Sequence, residues 1–275
     1  MTNLLPLVVE PQELVKQIDN PAITLVDLTK AETYQNRHLP GARWLEYSKL
    51  VRSAPPVSGL LPNLEDLVQL VTSMGVDQNS HVVAYDEEGG GRAARFLWTL
   101  EVLGHTRYSL LNGNLLAWEN EKFPLTSTVP PPKNVQFTSR WNPEIVADKT
   151  YIHSHLRDAR IVLIDSRSAE EYQGLKKFAA RGGHIPGAKN LDWTETLDPN
   201  NHYRLKDDLA LRALFNVRNA PPEKELILYC QTHHRSSHTY VVLKHLGYQN
   251  VRGYPGALSD WGNDPALPVE VSTSV

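Results

Sequence analysis

Leu226-Ile227-Leu228-Tyr229-Cys230-Gln231-Thr232-His233-His234-Arg235 carries an apolar run into a polar loop, and a helical pattern follows from Thr239 to Leu246. The four apolar residues read as a short strand buried on both faces. Cys230 closes that strand and is the only cysteine in 275 residues. A strand, a short loop and a helix in that order aim the loop N–H groups and the positive helix end at one sulfur. Such surroundings favour a thiolate over a free thiol, whose pKa is roughly 8.5. A lone cysteine is most often a small buried hydrophobe. Two histidines and an arginine within the next five positions point instead to a reactive thiol.

Working outward, the chain repeats itself. Asp27-Leu28-Thr29-Lys30-Ala31-Glu32-Thr33-Tyr34-Gln35 recurs as Asp165-Ser166-Arg167-Ser168-Ala169-Glu170-Glu171-Tyr172-Gln173, and His38-Leu39-Pro40-Gly41-Ala42 recurs as His184-Ile185-Pro186-Gly187-Ala188. Tyr85-Asp86 matches Tyr229-Cys230, and the segment ending in Trp118 echoes the one ending in Trp261. Four matched blocks in one order, 138 to 146 residues apart, identify a duplicated domain. In both copies apolar strands (residues 23–27 and 82–85; 161–165 and 226–229) alternate with helical stretches such as 64–74 and 205–215. That alternation predicts α/β architecture, each copy a parallel sheet flanked by helices on both faces. The expected division is 1–125, a Pro-rich extended connector over 126–138, and 139–275. Active sites of open parallel sheets lie at the carboxyl ends of the strands, so Asp165 and Cys230 should share an edge.

Composition bounds the rest. A hydrophobic fraction of 41% with 21% charged residues describes a globular protein, and a net charge of −3 gives no reason to expect a nucleic-acid or membrane partner. Met1-Thr2-Asn3-Leu4-Leu5-Pro6 has neither the basic region nor the apolar core of a signal peptide. One cysteine excludes an internal disulfide, which fits a reducing cytoplasm. A cytoplasmic monomer is expected. The two copies differ at the decisive position: the first carries Asp86, followed by Glu87 and Glu88, where the second has Cys230. A carboxylate cannot serve as the thiol nucleophile, so the first copy is expected to be catalytically silent.

These residues resemble the rhodanese family of sulfurtransferases in its tandem-domain form. Tyr34-Gln35-Asn36-Arg37-His38-Leu39-Pro40-Gly41-Ala42-Arg43-Trp44-Leu45 fits the family's N-terminal signature, and the second copy repeats it with an insertion between Tyr172 and His184. Tyr254 to Trp261 is similar to the C-terminal signature, with Leu258 and Asp260 as departures. The resemblance covers essentially the whole chain, and the loop Cys230 to Arg235 looks like that of certain bacterial members. It implies thiosulfate sulfurtransferase activity: Cys230 takes a sulfane sulfur from a small anionic donor and passes it to a thiophilic acceptor such as cyanide or a thiol. It also implies an active-site loop of Gln231, Thr232, His233 and His234 whose N–H groups cradle the persulfide, with Arg235 adding fixed positive charge.

By the same resemblance Asp165 organises the loop and Arg167 contacts the donor's anionic group, an ion pair with Glu170 or Glu171 being the alternative. Mercaptopyruvate enzymes use a further arginine where this chain has Glu171, which favours thiosulfate. His233 and His234 are read as donors to a sulfonate or as proton shuttles. His38 and His184 are read as structural, and Trp118 and Trp261 as core anchors. No cofactor is called for, and no metal: Cys230, His233, His234 and His238 lack the second paired motif of a zinc site. A desulfurase or thiol-carrier protein is a further partner class. The competing readings are a 3-mercaptopyruvate sulfurtransferase, a non-enzymatic persulfide carrier, and a cysteine phosphatase or arsenate reductase. The last uses a Cys-to-Arg loop one residue longer than Cys230 to Arg235.

Overall fold

A computed structural model describes residues 4–271; the reading of Met1-Thr2-Asn3 lies outside them. Each repeat folds around a parallel sheet. The first has the strand order Val8–Val9, Tyr108–Leu111, His81–Tyr85, Ile23–Asp27, Arg43–Trp44, and the second Val251–Gly253, Glu225–Tyr229, Ile161–Asp165, Lys189–Asn190. All neighbouring strands in both sheets run parallel. The central strands are buried along nearly their whole length, as their unbroken apolar runs require. No helix among the described residues is long and apolar enough to cross a membrane.

Register places the chemistry. Tyr229 pairs with Asp165, so Cys230 leaves the sheet one residue beyond that edge; Tyr85 pairs with Asp27 in the first sheet and puts Asp86 at the matching point. The Tyr85 hydroxyl donates to Asp27 at 2.5 Å and accepts from Leu39 N–H at 3.1 Å. Tyr229 accepts from Ile185 N–H at 3.1 Å in the same way. His38 and His184 lie stacked on Tyr34 and Tyr172, each with Nδ1 on the tyrosine's carbonyl at 2.7 and 2.8 Å. Trp118 and Trp261 are fully buried, each indole N–H on a proline carbonyl.

The compact units are not the contiguous halves expected from 1–125 and 139–275. The first takes the chain through Leu50, Pro62–Asn142 and Leu197–Leu205; the second takes Val51–Leu61, Pro143–Thr196 and the chain from Lys206 onward. Two short segments change membership because their polar groups find partners there. Arg204, in the first unit, pairs with Glu10 at 3.0 Å and Glu121 at 2.7 Å. In the second unit, the hairpin of Arg52–Ala54 and Val57–Leu60 binds Ser259 through Ser58. Residues 126–138, expected as an extended connector, belong to the first unit. Thr126 and His38 exchange backbone hydrogen bonds of 2.9 and 2.8 Å, and the Arg43 guanidinium binds the Pro131 carbonyl.

In the first unit the loop after His81–Tyr85 is closed on itself. The buried Asp86 carboxylate accepts the N–H groups of Glu88 and Gly90 on one oxygen (both 2.8 Å) and those of Arg92 and Ala93 on the other (2.9 and 3.1 Å). Burial pushes its pKa up and the four N–H groups pull against that. An internal anion thus fills the N–H cradle. Asp86→Ala leaves these donors buried without an acceptor and is expected to lower stability by roughly 2–4 kcal/mol. Denaturant unfolding should show that loss while the alkylation rate of Cys230 stays unchanged.

Candidate active site

The loop after Glu225–Tyr229 is folded so that its carbonyls and N–H groups face opposite ways. The Cys230 and Gln231 carbonyls accept from Leu258 and Ser259 N–H, at 3.1 and 3.0 Å, in the first turn of Ala257–Trp261. The N–H groups of Thr232 and Ser236, and the Ser236 hydroxyl, are left to the Cys230 sulfur. His233 takes a left-handed conformation, φ 62°, which turns the chain tightly enough for the helix Arg235–His245 to begin beside that sulfur. Cys230 itself is fully buried.

Charge follows the same geometry. Burial pushes the Cys230 thiol up, but the Arg235 guanidinium, the Ser236 N–H and hydroxyl and the Thr232 N–H outweigh it, and the net displacement is downward. Arg235 is held in place by Glu171, Nη1 to Oε2 at 2.7 Å and Nη2 to Oε1 at 2.9 Å. Burial alone would raise the Glu171 pKa, yet Arg235 keeps it below the usual range. Arg235 is therefore both charge support for the sulfur and half of an ion pair. In the first unit its counterpart Arg92 pairs with Glu88 at 3.1 Å instead.

The sequence reading missed Glu171 as a site residue. Its position is set by a capping box in which Ser168 Oγ accepts from Glu171 N–H and the Glu171 carboxylate accepts from Ser168 N–H, both at 3.4 Å. The signal was present as Ser168-Ala169-Glu170-Glu171, the spacing of such a box. Ser236 was also missed, because nothing in the sequence shows which hydroxyl faces the sulfur.

Asp165 and Arg167 are brought together rather than apart. Arg167 Nε lies 2.9 Å from one Asp165 oxygen, and Nη2 lies 2.6 Å from the other and 2.7 Å from the Gly183 carbonyl. Only 1% of Arg167 is exposed, and its guanidinium hydrogen-bonds Asp165 and the Gly183 carbonyl rather than Glu170 or Glu171. The cause is the buried Asp165 carboxylate, which needs a counter-charge at that depth.

The remaining loop residues divide. Gln231 reaches out to the Phe178 carbonyl in the insertion between Tyr172 and His184, and Thr232 Oγ1 lies 3.4 Å from His234 Nδ1. His234 is half-buried at the helix start, whereas His233 is fully buried. His238 is buried edge-on against Trp193, and burial pushes its pKa down to about 4. Among the described residues no three His, Cys, Asp or Glu side chains converge as metal ligands would.

The first half of the sequence supplies one piece of this site, through the hairpin that folds with the second unit. Gly59, at φ +79°, passes so close to the loop that a Cβ there would lie 2.6 Å from both Thr232 Cβ and the Thr232 carbonyl oxygen. Ser58 N–H donates to Ser259 Oγ at 2.8 Å and fixes the approach.

The Rhodanese-like domain is matched twice, over residues 10–121 and 148–264. A thiosulfate sulfurtransferase of Pseudomonas aeruginosa is 43% identical over 267 residues, 97% of this chain and 98% of its own. One from Azotobacter vinelandii is 42% identical over the same length and shares. Among solved structures, SseA from Escherichia coli, described with the 3-mercaptopyruvate sulfotransferases, superposes with a TM-score of 0.83 at 28% identity. That match covers 92% of this chain and 98% of SseA.

Gly59→Ala combines a left-handed strain of about 1–2 kcal/mol with a clash against Thr232. It should slow alkylation of Cys230 at least several-fold. Gly187→Ala has the same sign of φ, +77°, with nothing within 4 Å of the new methyl, and should destabilise without altering Cys230. Equal effects on Cys230 reactivity would show that strain, not contact with the loop, is responsible.

Proposed function

Because the chain belongs to the rhodanese family, we propose that it moves a sulfane sulfur from thiosulfate to a thiophilic acceptor through a persulfide on Cys230. The observation that carries this reading is the sulfur's own surroundings: a buried thiol whose pKa is lowered by Arg235, Ser236 and Thr232. The Cys230 thiolate attacks the outer sulfur of thiosulfate. The new S–S bond forms as the old one breaks, and sulfite leaves with the electron pair. The terminal persulfide sulfur then carries the negative charge, inside a loop whose N–H groups face it. Attack by cyanide or a thiolate on that sulfur breaks the bond to Cys230 and restores the thiolate, a two-stage cycle of covalent catalysis.

Thiosulfate is preferred over mercaptopyruvate on two grounds. The relatives at 42% and 43% identity bear its name, and the SseA match is at 28%. Moreover, Arg167 and Arg235 are both paired with carboxylates, Asp165 and Glu171, so neither is left to grip a donor carboxylate. In this reading Arg167 pairs with Asp165 and keeps the loop base rigid. We place the reaction in the cytoplasm, where the single free thiol stays reduced, with a protein thiol or desulfurase persulfide as partner.

Intact mass tests the cycle. Thiosulfate should add the mass of one sulfur to the wild type and none to Cys230→Ser, and cyanide should remove it with release of thiocyanate. A thiosulfate-treated wild type that gains no sulfur would contradict the reading.

A further inference from the structure

Two buried side chains in the loop are left unexplained by sulfur transfer as written above. Ser236 and His233 are both 0% exposed, and His233 Nδ1 lies 2.7 Å from Ser236 Oγ. The Ser236 N–H and hydroxyl are also within reach of the Cys230 sulfur and favour its charged form. The backbone of His233 is tied from the other side, since Ser237 Oγ donates to its carbonyl at 2.5 Å. Its φ of 62° is uncommon for a residue other than glycine or asparagine, and such strain persists where the surroundings over-determine the conformation. That turn sends the imidazole inward to Ser236 rather than outward to an anionic donor.

We propose that Ser236 is a catalytic residue whose hydroxyl holds the charged sulfur, and that His233 is the positioning residue that aims this hydroxyl. The proposal rests on the sulfur-transfer reading and deepens it. The argument is one of proton count. A serine hydroxyl has a single proton; when it points at the sulfur, Oγ offers only lone pairs to His233. The contact at 2.7 Å is then a hydrogen bond only if Nδ1 carries the proton. His233 must hold its Nδ1–H tautomer while Cys230 is a thiolate or persulfide, and the order is His233 to Ser236 to sulfur. The other charges around that sulfur are Arg235, its partner Glu171 from Ala169–Tyr172, and the Asp165–Arg167 pair at the neighbouring strand end. Those pairs supply charge, whereas the Ser236 hydroxyl supplies a directed bond whose value depends on its aim.

The test is the pH dependence of Cys230 alkylation by iodoacetamide in the full chain, which needs no sulfur donor and so stays informative if the thiosulfate reading fails. Ser236→Ala should raise the midpoint by about one pH unit, a tenfold loss of thiolate below it. His233→Asn places an amide N–H where Nδ1–H stands and tolerates the left-handed turn, and should keep the wild-type midpoint. His233→Gly relieves the strain but removes the donor, and should shift upward. Ser236→Ala combined with His233→Gly should shift no further than Ser236→Ala alone, because one path carries both effects. A wild-type midpoint in Ser236→Ala or His233→Gly, or additive shifts in the double variant, would overturn the proposal. Should a variant fail to fold, nitrogen NMR of the wild type decides: a protonated Nδ1 on His233 in the thiolate form is expected, and an unprotonated one contradicts it.

Discussion

A buried thiol that ionises has no water to solvate the charge, and the groups around Cys230 answer that constraint. Burial alone would keep the thiol protonated. It is outweighed by one fixed cation, Arg235, and by donors from Thr232 and Ser236. The loop can present those N–H groups because its carbonyls are engaged by the first turn of Ala257–Trp261. Arg235 can stay beside the sulfur because Glu171 holds its guanidinium by two bonds, and Glu171 is itself fixed by the Ser168 cap. Each layer restrains the one inside it, which is what a preorganised site requires.

The duplicated unit shows the same constraint met differently. Its loop also wraps N–H groups around a negative atom, but the atom belongs to Asp86 and is covalently part of the chain. The same loop geometry closes here on a carboxylate where the second repeat has a thiol. The two repeats therefore show that the loop's structural demand, an acceptor at its centre, can be met without a sulfur.

Much of this was legible in the sequence. The four repeated blocks and the apolar strands gave the paired α/β sheets, and the register that sets Tyr229 opposite Asp165 confirms the shared edge. The strand-loop-helix pattern around Cys230 pointed to N–H donors from Gln231 to Arg235; those reaching the sulfur come from Thr232 and, outside that span, Ser236. What was not legible depends on contacts between distant residues. Arg167 reads as a donor ligand until Asp165 is seen to be buried beside it. The Pro-rich stretch reads as an extended connector, and its backbone bonds from Thr126 to His38 are not written in its composition. The approach of Gly59 to Thr232 and the hairpin's place in the second unit leave no periodic trace in the sequence. His233 reads as an outward ligand because φ is not written in residue type.

The central claim is that the loop lowers the Cys230 pKa in spite of its burial, and the thiolate ultraviolet absorbance of the native protein tests it most directly. Measured across pH as the difference between wild type and Cys230→Ser, this absorbance should appear at a lower pH in the folded protein than in the same protein unfolded in urea. Since the folded pKa is the depressed one, thiolate should be lost only as pH falls through that lower midpoint. A folded midpoint equal to or above the unfolded one would mean that burial prevails over Arg235 and the loop donors, and would contradict the account.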